Sequence, residues 1–97
     1  MMNRDDILSL LREHKATLAR RYGVTDIALF GSVARNRTSE HSDIDLLVRF
    51  DGPATSKRYF GVQFYIEDLT GRPVDLVTDK ALRAELRPAV EREAIHV

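Results

Sequence analysis

The sequence has no cysteine, no excess of charge of either sign and no long apolar run. Without cysteine it can form neither a disulfide framework nor a zinc–thiolate site. Its 15 basic and 15 acidic residues cancel, which argues against a general nucleic-acid-binding protein because such proteins usually carry a basic excess. The apolar runs fall short of a membrane span, and the charged N-terminus lacks the features of a secretory signal. We therefore expect a soluble intracellular protein with no membrane contact and no direct nucleic-acid binding.

A length of 97 residues predicts one domain, residues 1–97, with a modest core. The hydrophobic periodicity and the capping residues predict the order α-β-β-α-β-α, followed by a last edge strand. The predicted helices run from a cap at residue 3 to residue 22, over 56–70 and over about 80–86; the predicted strands cover 24–30, 43–50, 74–77 and 94–97. This order indicates an α/β (α+β) domain in which helices flank a small mixed sheet.

The helix predicted at residues 56–70 has two apolar faces. Tyr59 and Ile66 belong to one face, whereas Phe60 and Phe64 lie on roughly the opposite side. Such a helix is either sandwiched inside the fold or exposes an aromatic patch that can anchor a partner. In the first helix, His14 falls within the apolar stripe, and we expect it to pack there and bond a backbone carbonyl rather than act in catalysis.

Residues 31–50, GSVARNRTSEHSDIDLLVRF, combine a turn suited to phosphate with a pair of carboxylates. Gly31 permits a tight turn and a close backbone approach after the apolar strand, and Ser32 adds a hydroxyl beside outward-pointing N–H groups. Asp43 and Asp45 share one face of a strand, where they repel each other unless a divalent cation binds. A Gly-Ser turn alone is common, and so is an acidic strand, but their combination at this spacing is a much narrower pattern.

A third carboxylate, Asp75, lies in the apolar strand VDLV. A carboxylate in such a strand is costly unless it is paired or bound to metal. If this strand lies beside the strand that begins at Asp43, three carboxylates converge. The alternative is an edge-strand aspartate that faces water.

These landmarks resemble the minimal nucleotidyltransferases of the DNA polymerase β-like superfamily, whose signature is Gly-Ser, about ten residues, Asp-x-Asp and a later strand Asp. The signature matches at Gly31, Ser32, Asp43, Asp45 and Asp75. The run GSVAR…SDIDLLV is similar to the MNT-domain antitoxins (MntA type) that are paired with HEPN-domain toxins, and IALF and GRPVDLVT extend the similarity over nearly the whole chain. Asn36 stands where the family commonly has glycine, and the turn can survive because Asn tolerates a left-handed backbone.

The resemblance implies a polymerase β-like fold and a cytoplasmic antitoxin of a prokaryotic, type VII-like toxin–antitoxin pair. Such an antitoxin transfers AMP from ATP to a tyrosine of the cognate HEPN ribonuclease toxin and inactivates it. Asp43 and Asp45 would hold two Mg²⁺ ions, and Asp75 would hold the ion that activates the attacking hydroxyl. The toxin and ATP are the expected partners.

In the same scheme Gly31 and Ser32 bind the β- and γ-phosphates. Further possible phosphate contacts are Arg35, Arg37, Lys57 and Arg58, each of which, judged singly, is an ordinary solvated surface charge. Two other functions stay open: neutralisation of the toxin by stoichiometric binding without turnover, and nucleotidyl transfer to a small molecule. A chain of 97 residues offers no second domain for a bulky substrate, which favours a protein acceptor supplied by a partner.

Overall fold

In the structure, a computed structural model that describes residues 2–36 and 43–97, helices flank a four-stranded sheet. The helices are α1 (Arg4–Tyr22), α2 (Gly31–Ala34), α3 (Ser56–Thr70) and α4 (Arg87–Glu93). The strands are β1 (Val24–Phe30), β2 (Ile44–Phe50), β3 (Val74–Thr78) and β4 (Ile95–His96). Their order is β3-β2-β1-β4, with β1 antiparallel to β2 and β4 and with β2 parallel to β3. This mixed sheet confirms the predicted fold class.

Local signals set the ends of the two long helices. Asn3 caps α1 by accepting a hydrogen bond from Asp6 N at 2.9 Å, and the Asp6 carboxylate accepts one from Asn3 N at 3.1 Å. Thr55 caps α3 by accepting a hydrogen bond from Arg58 N. Gly23 and Gly71 end α1 and α3 with φ of 74° and 67°, in the left-handed region that favours glycine. The predicted bounds of these helices are therefore confirmed.

The two faces of the sheet differ in polarity because side chains alternate along each strand. On β2, Ile44, Leu46 and Val48 are at most 1% exposed and form the core with α1 and α3. The opposite face, called the open face below, carries Asp45 and Arg49. It is partly covered by the segment 79–94, and it is the face on which the predicted site lies.

Two features of the helices differ from the predictions. The helix predicted at residues 80–86 is only a 3₁₀ turn, Asp79–Ala81, because the backbone turns extended at Leu82 and the Leu82 side chain is buried. Helical structure resumes at α4, with Pro88 in its first turn. His14 does not bond a backbone carbonyl: its Nδ1 lies 2.6 Å from the Tyr65 hydroxyl, because α1 and α3 pack side by side on the core face.

The second apolar face of α3 is on the surface. Phe60 and Phe64 are 48% and 56% exposed, and their rings stack with centroids 6.0 Å apart. Of the two interpretations of this helix, the exposed aromatic patch is therefore confirmed. No helix in the described part of the chain is both long and apolar enough to cross a bilayer.

Candidate active site

The acidic pair lies at the start of β2, where the chain enters the sheet. Asp43 immediately precedes the strand and is exposed, whereas Asp45 is half-buried on the open face. Ile44 between them is fully buried in the core. The alternation of the strand thus directs the polar side chain of Asp45 away from the core, as the sequence predicts.

Asp75 lies beside Asp45 because β3 is the parallel neighbour of β2. The register pairs Ile44 with Val74 and Asp45 with Asp75, so both carboxylates belong to the same face of adjacent strands. β3 is also an edge strand, and Asp75 is exposed. Asp75 therefore combines the two alternatives considered from the sequence: it neighbours the acidic strand and it faces water.

Negative charge accumulates around Asp45. Burial raises the pKa of this carboxyl, and the nearby carboxylates of Asp75 and Asp43 raise it further, while the Arg35 guanidinium works in the opposite direction. A bound cation would relieve this repulsion, since it would compensate the charge on all three carboxylates.

The three carboxylates are not drawn together into a closed ion site. Within residues 2–36 and 43–97, no group of three or more acidic or histidine side chains has the geometry to hold a metal ion. The predicted convergence is thus realised only as the neighbouring pair Asp45 and Asp75 with Asp43 close by. The donor set itself, all oxygen and all anionic, suits Mg²⁺.

Gly31 lets the Asp45 carboxylate approach the turn after β1. Its φ is 75°, and a Cβ at this position would lie 2.9 Å from Asp45 Cγ and would overlap the Oδ2 atom. The predicted close approach therefore exists, and its partner is a carboxylate of the site itself. The Gly31 N–H donates to Glu93 Oε1 at 3.0 Å and is therefore already engaged.

The other residues predicted to bind phosphate occupy the same turn. Ser32 is half-buried in α2 and makes no hydrogen bond within the described residues. Arg35 follows α2, is exposed, and places Nη1 2.7 Å from Glu93 Oε2. Asn36 has a φ of 59°, which confirms that it adopts the left-handed backbone expected there. Arg37 lies outside the described residues.

Two of the suggested phosphate contacts are in the wrong place. Arg58 places Nη1 2.8 Å from Asp51 Oδ1, and Asp51 follows the far end of β2 from Asp45. At ~3.3 Å per residue this end lies roughly 20 Å away. Lys57 shares the first turn of α3 with Arg58 and is equally remote.

Glu93 is the site residue that the sequence did not reveal. It lies at the end of α4 and reaches back across 62 positions to Gly31 and 58 positions to Arg35. Burial opposes its charge, but the hydrogen bonds from Gly31 and Arg35 outweigh this and lower the pKa of Glu93. A glutamate in the run VEREAIHV has no local feature that distinguishes it from its neighbour Glu91.

Residues 11–97 match the family model described as a nucleotidyltransferase domain. The chain belongs to this nucleotidyltransferase family. The protein adenylyltransferase MntA of Thermococcus cleftensis is 36% identical over 97 residues, which is 100% of this chain and 98% of that protein. The predicted resemblance to MntA-type nucleotidyltransferases is thereby confirmed.

Solved structures agree with this assignment. A protein assigned as a minimal nucleotidyltransferase superposes with a TM-score of 0.81 at 38% identity, over 97% of this chain and 95% of that chain. A structure described as tri-AMPylated Shewanella oneidensis HEPN toxin in complex with MNT antitoxin matches with a TM-score of 0.65 at 20% identity, over 91% of this chain and 69% of that chain. At this identity the second match establishes a shared fold alone.

The acidic site of this nucleotidyltransferase opens onto the surface. Asp43 and Asp75 are exposed, and two cavities of about 150 and 230 Å³ are lined by residues around Arg49 and Asp79, without Asp45 or Asp75. Arg49 lies toward the other end of β2. The acidic edge of the sheet is therefore accessible to a large molecule.

Proposed function

We propose that this nucleotidyltransferase is an antitoxin that transfers AMP from ATP to a tyrosine of a cognate HEPN ribonuclease toxin and thereby inactivates it. The observation that carries the proposal is the pairing of Asp45 with Asp75 beside the Gly31 turn. The full-length similarity to a protein named protein adenylyltransferase MntA and the fold shared with an MNT antitoxin in a toxin complex support the choice of reaction and of partner. In this proposal residues 1–97 act as one minimal domain.

In the proposed reaction the tyrosine oxygen attacks the α-phosphorus of ATP. A P–O bond to tyrosine forms, the bond to the leaving pyrophosphate breaks, and Asp75 accepts the tyrosine proton. Asp43, Asp45 and Asp75 are the residues that would hold Mg²⁺, which when bound supplies charge neutralisation at the phosphates and at the attacking oxygen. Ser32 offers a hydroxyl to the phosphate chain, and positioning supplies much of the remaining acceleration.

The surface of α3 suggests where the toxin docks. Tyr59 donates to Leu76 O at 2.6 Å, and Gln63 donates to Val74 O at 3.0 Å, so one stripe of α3 covers the outer edge of β3. At 3.6 residues per turn, Phe60 and Phe64 form the next stripe around the helix. This aromatic patch therefore flanks the strand that carries Asp75, and a partner held there would extend toward the acidic site.

The proposal is tested by incubating the chain with ATP, Mg²⁺ and the cognate HEPN protein and measuring the intact masses of both proteins. We expect adenylyl increments on the HEPN protein, on tyrosine by peptide mapping, and none with the double variant Asp43→Ala/Asp45→Ala. Glu13→Ala, which removes an exposed acid of α1, is the matched control and should keep full activity.

The same variants separate the alternative functions. If the double variant neutralises the toxin fully and no mass increment appears with the unaltered chain, stoichiometric binding replaces transfer. If ATP is consumed without modification of the HEPN protein, this protein is not the acceptor, and a small-molecule acceptor becomes the function to test. Either result refutes the proposed protein modification.

A further inference from the structure

Glu93 connects the last helix of the chain to the turn that is proposed to meet the triphosphate. Its two carboxylate oxygens are used separately: Oε1 accepts from Gly31 N at 3.0 Å and Oε2 contacts Arg35 Nη1 at 2.7 Å. The Glu93 side chain is only 27% exposed. One carboxylate thus fixes both ends of the segment 31–35, which is more than a surface ion pair does.

Arg35 is held in a useful position by this contact. The guanidinium lies near the acidic end of the sheet, because it shares the Glu93 carboxylate with Gly31 N and Gly31 directly adjoins the Asp45 carboxylate. The contact with Glu93 uses Nη1 alone, which leaves the Nη2 and Nε donors without a partner in the described part of the chain. A guanidinium offers five N–H donors in a planar fork that suits phosphate.

We propose that Glu93 is a positioning residue of the nucleotidyltransferase site: it holds the Gly31 turn and orients Arg35 beside Asp45, so that the remaining Arg35 donors contact the transferring phosphate group. The inference rests on the proposed transfer of AMP. An arginine that is already held loses less side-chain freedom when it binds its ligand. The phosphate contact that the sequence suggested for Arg35 thereby gains a residue that orients it.

The second contact to the turn supports this role. Arg4 Nη1 donates to Ala34 O at 3.2 Å, so α1 contacts the carbonyl end of the short helix α2. Through Glu93, α4 contacts the first N–H of the same helix. The turn is therefore anchored from two distant parts of the chain. The Arg4 anchor reaches a backbone carbonyl, whereas the Glu93 anchor reaches the Arg35 side chain. Glu93 is therefore the residue to test.

A double-mutant cycle in the complete transfer assay, with ATP and the HEPN protein, tests the proposal. Glu93→Ala and Arg35→Ala should each lower kcat/KM for ATP by roughly tenfold, as expected for loss of an oriented charged contact. The variant with both changes should be no more than about twofold worse than Arg35→Ala, because residues that act through one contact are not additive. Glu93→Gln keeps the shape and should fall between wild type and Glu93→Ala.

Glu91→Gln is the matched control, because Glu91 lies on the same helix but contacts Arg87, at 3.5 Å, instead of the Gly31 turn. If Glu93 had a purely structural role, Glu93→Ala would lower the thermal stability equally in the wild-type and Arg35→Ala backgrounds. The proposal is overturned if Glu93→Ala reduces activity as much in the Arg35→Ala background as in wild type, or if both Glu93 variants retain wild-type kcat and KM. Should Glu93→Ala fail to fold, Glu93→Gln carries the comparison.

Failure of the proposed function gives a different pattern. If the wild-type chain transfers no AMP to any protein, that function is refuted. Titration of MgATP onto the four proteins of the cycle (wild type, Glu93→Ala, Arg35→Ala and the double variant) still decides about Glu93. The positioning role is supported if Glu93→Ala binds MgATP more weakly than wild type, while the double variant binds it as well as Arg35→Ala. Equal binding by all four proteins overturns it.

Discussion

Replacing Gly31 by alanine should abolish most activity while leaving most of the stability. The backbone at Gly31 has a φ of 75°, and a side chain in this region costs about 1–2 kcal/mol. The added Cβ would also overlap the Asp45 carboxylate. A carboxylate at the end of a short side chain can rotate away at little energetic cost, so the protein stays folded while the acid leaves its position.

The size of the effect on activity follows from that displacement. The Cβ would lie 2.9 Å from Asp45 Cγ, so the carboxylate must move by roughly an ångström, and a misplacement of that size costs on the order of 100-fold in rate. We therefore expect Gly31→Ala to lose about 1–2 kcal/mol of unfolding free energy and about 100-fold in AMP transfer. Urea denaturation and the intact-mass assay measure the two quantities.

Gly71→Ala is a control for the cost of the left-handed backbone without the contact to Asp45. Its φ of 67° is similar, yet a Cβ there would meet nothing within 4 Å. Gly71→Ala should show the same loss of stability and unchanged transfer. The reasoning is refuted if the two variants have the same activity, because the contact with Asp45 would then have no consequence for the reaction.

Two further predictions concern the toxin contact and the pH dependence of stability. Replacing Phe60 and Phe64 together by serine should weaken binding of the HEPN protein by about 2 kcal/mol or more and raise the KM for this protein with little change in kcat. Leu86→Ser, at a residue that is also exposed, should change neither the binding nor the KM. Calorimetry measures the binding, and steady-state kinetics measure KM and kcat. The hydrogen bond from Arg87 lowers the pKa of Asp79, so this carboxylate stabilises the fold above its unfolded pKa of about 3.9 and the contribution is lost as pH falls through the lower folded pKa. Asp79→Asn should therefore reduce the unfolding free energy at pH 7, and the reduction should shrink as the pH falls below about 3.9. A reduction that does not change with pH would contradict the assignment.

Features that depend on neighbouring residues could be predicted from the sequence. The cap at Asn3 and the left-handed glycines at Gly23 and Gly71 fix α1 and α3 through contacts within a few positions. The left-handed backbone at Asn36 follows from side-chain type in the same way. The helix predicted at residues 80–86 was wrong because burial of Leu82, a tertiary effect, overrides the local helical pattern.

The candidate site was predictable only to the extent that a motif specifies it. The spacing between Gly31 and Asp45 indicated a phosphate turn next to a carboxylate, but the adjacency of Asp75 depends on strand order, which spacing does not determine. The attachment of Glu93 to Gly31 spans 62 positions. Such a contact has no sequence periodicity, so it could be found only once the sheet had brought α4 against the turn.

In the proposed reaction one small sheet serves both a nucleotide and a protein, and the edge position of β3 makes this arrangement possible. An exposed edge strand normally invites pairing with another chain, yet here Tyr59 and Gln63 of α3 occupy the outer carbonyls of β3. The backbone edge is thus blocked, while Asp75 on the same strand stays exposed. A partner must therefore approach through side chains, and the stacked Phe60 and Phe64 are the apolar contact that flanks this edge. The same helix that protects the strand from nonspecific pairing would then guide the acceptor toward the carboxylates.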